Sequence, residues 1–142
     1  MIRIVIDTNI LVSAILTPEG NPAKILKLAL QGKLNLIISP AILEEIRQVL
    51  RYPKLVKLMK KNMITLEEVY TSLDKMSKIA VITPGKLDIK AIPDDPSDDM
   101  VLSCAVEGEA DFIISGDHHL TDLRIFQGIK IVDPAAFLKI IR

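Results

Sequence analysis

At 142 residues, about half of them apolar and a quarter charged, the chain suits one domain (1–142) with a buried core and leaves no room for a second. Eighteen basic and eighteen acidic side chains cancel, which excludes a general polyanion binder held by bulk charge; any contact with nucleic acid must use a local patch. A single cysteine, Cys104, excludes an internal disulfide and a multi-cysteine metal site, and its apolar surroundings mark it as a core filler. No run approaches the ~20 apolar residues of a membrane span, and the early Asp7 breaks any signal-peptide pattern, so a cytoplasmic location is expected.

The chain opens with IRIVI (2–6), a strand, followed by TNILVSAIL and PAKILKLALQ as helices with TPEGN as the break between them. LNLIIS (34–39) is the second strand. Ser39 then caps a helix that has Pro40 at its first position and runs through AILEEIRQVL to Pro53. KLVKLMKKN and TLEEVYTSLDKMS are two further helices, the second opened by a Thr65/Glu68 capping box. IAVIT (79–83) is the third strand, trailed by a loop to about Ser97. DDMVLSCAVEGE is helical, DFIIS (111–115) and IKIVD (129–133) are strands, and PAAFLKII is the closing helix. Strands that alternate with helices predict a three-layer α/β/α sandwich around a mostly parallel five-stranded sheet. In such sheets the working face lies at the carboxyl ends of the strands.

Acids collect at that edge. Asp7 ends the first strand, and Glu44 and Glu45 follow the second. Asp94, Asp95, Asp98 and Asp99 follow the third, and Asp117 follows the fourth. So many like charges repel unless a cation sits among them, and an all-oxygen set suits Mg²⁺ or Mn²⁺. In the helix after the second strand, Ile42, Leu43, Ile46, Val49 and Leu50 form the apolar stripe; Glu45 borders it and Glu44 faces away. In the later helix Asp99 borders the stripe of Val101, Leu102, Ala105 and Val106. Asp99 is therefore favoured as the third acid, with Asp98 the alternative. Each of these acids taken alone also reads as a helix cap, a dipole partner or a turn residue. Convergence at four consecutive strand ends is what points to a metal site. His118 and His119 offer themselves as ligands or bases, but a His pair beside a turn is more often solvent-exposed, and an all-oxygen site does not need one. Arg47, Arg51, Lys54 and Lys57 form an acid-free basic stretch, either a solvated face or a track for phosphates.

The segments VIDTNILVSAIL, SPAILEEIRQVLRYPKL and DPSDDMVLSCAVEGEADFIISGDHHL together resemble the PIN-domain nucleases, and among them the VapC-type toxins of prokaryotic toxin–antitoxin systems. The resemblance implies a cluster of acids that binds Mg²⁺ or Mn²⁺ to cleave RNA. Asp7 would be the central ligand, Glu45 and Asp99 (or Asp98) further ligands, and Asp117 a ligand acting through water. It further implies that Thr8, Asn9 and Ser115 orient the acids. It also implies a small antitoxin as partner and a homodimer, for which apolar residues in the 55–73 region are available. The doubled acid at 98 and 99, the extra acids at 94 and 95, and Ser-Gly before Asp117 depart from the shortest toxins.

Rival readings meet specific obstacles. A haloacid-dehalogenase-like phosphatase wants a second Asp two residues after the first, where this chain has Asn9. A receiver domain fits poorly with the acidic cluster after the third strand. A processing nuclease without an antitoxin, or a PIN-like domain that binds RNA or protein without cutting, remains the alternative.

Overall fold

The computed structural model describes residues 1–93 and 95–142; the expected acid at 94 lies outside the described residues. Six strands are described: β1 (Arg3–Ile6), β2 (Asn35–Ile38), β3 (Val81–Ile82), β4 (Phe112–Ile114), β5 (Ile125–Phe126) and β6 (Ile129–Val132). They form one sheet in the order β3-β2-β1-β4-β6-β5, parallel throughout except for the β5–β6 pair. Helices α1 (Thr8–Leu16), α2 (Asn21–Leu30), α3 (Pro40–Val49), α4 (Pro53–Lys61), α5 (Leu66–Ile79), α6 (Pro96–Glu107), α7 (His118–Thr121) and α8 (Pro134–Ile140) cover it.

From β1 the chain winds outward to β2 and β3, then crosses back to β4 and on to β6. Right-handed crossovers in opposite directions put their helices on opposite faces, which is what makes three layers. The returning crossover carries α6, which packs on β1, β2 and β4; α1 and α2 pack on each other, and α2 also meets α5 and α8. Strands covered on both faces have no polar side to show. Accordingly Ile4, Val5, Leu36, Ile37, Ile38, Ile113 and Ile114 are wholly buried.

The expected α/β/α architecture holds, with one strand more than the five expected. The sixth, β5, is a two-residue arm that turns into β6 through Gln127 and Gly128, both at positive φ (48° and 81°), as a tight hairpin requires. An arm that short carries no alternation to read. Ile79, expected to start the third strand, instead closes α5, and β3 keeps only Val81 and Ile82 at the sheet edge. The capping box at Thr65 and Glu68 is present.

Residues 85–92 run as a strap along α6. Glu107 accepts hydrogen bonds from the backbone N–H groups of Gly85, Lys86 and Leu87 at 2.8, 2.9 and 3.1 Å. The Ser103 hydroxyl accepts from Ile89 at 2.8 Å, and Asp99 Oδ1 accepts from Ala91 and Ile92 at 3.0 and 2.9 Å. Residues 99, 103 and 107 are four apart and so share one face of the helix. Six amides with no ladder to join are satisfied this way. The far end of α6 sits close against the sheet at Gly108, where any Cβ would run into the Ile37 side chain. Its carbonyl is held by the Arg3 guanidinium at 2.6 and 3.1 Å.

Candidate metal centre

The sheet reverses its winding between β1 and β4, and the crevice outside such a reversal is where open α/β sheets place their sites. Both strands end there in a carboxylate that caps the following helix. Asp7 Oδ1 accepts from the Asn9 N–H at 3.1 Å, and Asp117 Oδ1 from the His119 N–H at 2.8 Å. Between them stands Ser115, fully buried at the end of β4. Its hydroxyl donates to Asp7 Oδ2 at 2.6 Å and accepts from the Asp117 N–H at 3.0 Å. One hydroxyl therefore fixes two acids from strands 108 residues apart in sequence.

Asp7 is 8 % exposed, and burial pushes its pKa up. The hydrogen bonds from Ser115 and Asn9 pull it down, while the charges of Asp117 and Glu45 push it up again. Glu45, half-buried on α3, is steadied by the Ser97 hydroxyl, which donates to Oε2 at 2.8 Å.

The two acids of the doubled pair point in different directions. The expected third acid, Asp99, has its carboxylate turned onto the strap amides of Ala91 and Ile92. The alternative, Asp98, turns into the crevice, where it is 4 % exposed and its Oδ2 has no hydrogen-bond partner among the described residues. Its pKa is pushed up to about 8, first by burial, then by the neighbouring Asp95 carboxylate and the charges of Asp117 and Asp7. These mutual repulsions tie Asp7, Glu45, Asp98 and Asp117 into one electrostatic unit.

Two groups join that the sequence reading did not assign to the site. Asp95 caps α6 by accepting from the Asp98 N–H at 3.3 Å. His119, read as part of an exposed pair, has a side chain 64 % exposed, yet its Nδ1 faces inward. It lies 3.0 Å from Asp95 Oδ2, 3.6 Å from Asp98 Oδ2 and 3.8 Å from Asp117 Oδ1. The hydrogen bond with Asp95 raises the imidazole pKa and the Asp117 charge adds to the effect; the same bond lowers the pKa of Asp95. Asp95, Asp98, Asp117 and His119 each offer one ligand atom, and these atoms lie within 4.8 Å of one another.

Thr8 and Asn9, expected with Ser115 to orient the acids, stand differently from each other. The buried Thr8 hydroxyl has no hydrogen-bond partner among the described residues, and Asn9 contributes its backbone N–H while its side chain is exposed. A carboxylate at a helix start finds the second amide of the helix before any side chain. Of the basic stretch, Arg47 pairs with Glu44 at 3.7 Å, while Arg51, Lys54 and Lys57 are exposed. Cys104 is buried with its thiol pKa pushed up to about 12 by burial, as befits a core filler.

With the site in view, the relatives of the chain can be placed. The PIN domain family model matches residues 3–119. The chain belongs to the PIN-domain family, and that membership supports a nuclease. An uncharacterised protein of Methanocaldococcus jannaschii is 34% identical over 123 residues, which cover 87% of this chain and 76% of that protein. A chain of VapBC2 from Rickettsia felis, solved bound to a DNA fragment from their promoter, superposes with a TM-score of 0.55 at 17% identity, over 92% of this chain and 97% of that one. That likeness is one of fold. No helix among the described residues is long and apolar enough to cross a membrane.

Proposed function

We propose that the protein is a single-domain, Mg²⁺- or Mn²⁺-dependent endoribonuclease of the cytoplasm, acting as the toxin of a toxin–antitoxin pair. The observation that carries the reading is the convergence of Asp7, Glu45, Asp98 and Asp117 at the β1–β4 crevice, with the buried Asp98 Oδ2 lacking a hydrogen-bond partner among the described residues. A buried carboxylate oxygen with no donor fits a cation site and is costly without one. Asp7, Asp98 and Asp117 would hold the ion, with Glu45 at the rim. When bound, a divalent ion supplies charge neutralisation for a phosphodiester and lowers the pKa of water. Ser115 keeps Asp7 and Asp117 in register, and Ser97 keeps Glu45 turned toward them. Arg47, Arg51, Lys54 and Lys57, which follow Glu45 in the chain, are the proposed track for the RNA backbone.

The toxin role rests on the sequence resemblance to VapC-type toxins and on the shared fold with a chain of VapBC2. A small antitoxin and a homodimer come with it. The biochemical test is RNA cleavage by the purified protein with Mn²⁺ or Mg²⁺, with EDTA, and by Asp7→Asn. Cleavage that needs the ion and disappears in a folded Asp7→Asn protein is the expected result. Equal behaviour of wild type and variant would sink the nuclease assignment. A short reading frame for a small protein beside the gene is expected for the toxin role, and an isolated gene favours RNA processing.

A further inference from the structure

Tyr52 does not do the work that its position in the fold usually demands. Six of the eight described helices start from an Asp, Ser or Thr whose side chain accepts from a backbone amide of the first turn. Helix α4 starts instead from Tyr52, which makes no such bond and leaves its ring 56 % exposed. We propose that this ring is the platform on which an unpaired base of the RNA stacks, so that single strands are bound in preference to duplex. The inference rests on the ribonuclease reading above and adds a base-contacting residue to its phosphate track.

Three observations meet at Tyr52. The first is position. Tyr52 follows Glu45 by seven residues, and the helical path continues up to it, with the Tyr52 N–H donating to the Val49 carbonyl at 3.0 Å. Seven residues at roughly 100° each return to nearly the same face, and a rise of ~1.5 Å per residue puts the ring about 10 Å along α3 from Glu45. At ~3.4 Å per stacked nucleotide that is a few nucleotides from the acids. The second is charge. No acid occurs from Ile46 to Leu66. Arg51 before the ring and Lys54 and Lys57 after it are exposed and make no ion pair among the described residues. A base on the ring therefore carries its phosphates in among free cations. The third is residue type. A solvated face accounts for the lysines but not for an exposed aromatic ring in their midst. A protein partner is disfavoured because the centres of protein interfaces are depleted in lysine. Cations interleaved with an aromatic ring suit a single strand, since every base has a face to stack and a duplex keeps its faces covered.

The test is carried out on the full chain with Asp7→Asn, in Mn²⁺, so that the RNA stays intact. Anisotropy of a short labelled RNA of mixed sequence should show affinity falling roughly fivefold to a hundredfold in Tyr52→Ala, with Tyr52→Phe close to the parent. An abasic strand of the same length should bind the parent and Tyr52→Ala alike, and so should a hairpin duplex. Tyr52→Trp supplies a single fluorophore in a chain with no tryptophan, and unlabelled RNA should quench it. Tyr70→Trp, at an equally exposed site, should not respond. The ring lies outside the core, and circular dichroism checks that each variant is folded. Equal affinity of the parent and Tyr52→Ala for the single strand overturns this inference, and so does a Tyr52→Trp emission that RNA leaves unchanged. Metal-dependent cleavage by the unsubstituted protein then keeps the nuclease reading standing. Self-association weakened in Tyr52→Ala with RNA affinity unchanged assigns the ring to a protein interface and also overturns the inference. A protein that neither binds nor cuts RNA overturns both.

Discussion

Asp98 makes the metal-free protein sensitive to pH in a direction opposite to that of most proteins. Its carboxyl pKa in the folded chain is about 8 against an ordinary value of 3.8, with burial the main cause. Between those values the folded protein holds one more proton than the unfolded chain, so stability falls as pH rises. One proton amounts to about 1.4 kcal/mol per pH unit, hence about 3 kcal/mol between pH 5 and pH 7. For a chain of this length that is roughly 6–12 °C in Tm. Asp98→Asn keeps the shape and removes the titration. The variant should therefore gain on wild type by that amount from pH 5 to pH 7, with no further gain above about pH 8. The raised pKa values of Asp7 and His119 tilt both proteins the same way, and the lowered one of Asp95 acts only at acid pH, so the difference between the two curves reports Asp98. The assay is urea unfolding at pH 5, 6, 7 and 8 in EDTA, repeated with saturating Mn²⁺. Ions bind the ionised carboxylate, and added Mn²⁺ should flatten the wild-type profile. Parallel curves for wild type and Asp98→Asn across this range would refute the reasoning.

Two further substitutions test the division of labour on α6 and its seat on the sheet. Asp99→Asn retains the oxygen that accepts from Ala91 and Ile92, so stability should stay within about 0.5 kcal/mol and Mn²⁺ affinity within about twofold. Asp98→Asn should lose tenfold or more in that affinity, measured by titration. Gly108→Ala drives a methyl group into Ile37, whose branched side chain is locked in the core, and should lower stability by about 1–3 kcal/mol in urea unfolding.

Much of this was legible in the chain because periodicity reports burial. The aliphatic runs ending at Asp7, Ser39 and Ser115 gave the buried strands, and the stripe through Ile42, Ile46 and Leu50 put Glu45 at its border. The choice between Asp98 and Asp99 was not available from the same signal. A helical wheel separates apolar from polar faces, but it does not reveal that an extended strap will lie on the border and need acceptors there. Strap residues 85–92 have no period of their own. The hint that existed was on the helix: Asp99, Ser103 and Glu107, three acceptors spaced by four along an otherwise apolar segment. His119 escaped for a different reason. Its ring is mostly in solvent, and only the position of one nitrogen places it in the cluster.

The Ser115 bridge bears on when the acid cluster can assemble during synthesis of the chain. Asp7 is made first, and the hydroxyl that holds it and the acid that shares its crevice come 108 and 110 residues later. Contacts so distant in sequence form late, after the intervening chain has been gathered. A nascent polypeptide that has not yet pushed β4 clear of the ribosome therefore has no assembled acid cluster.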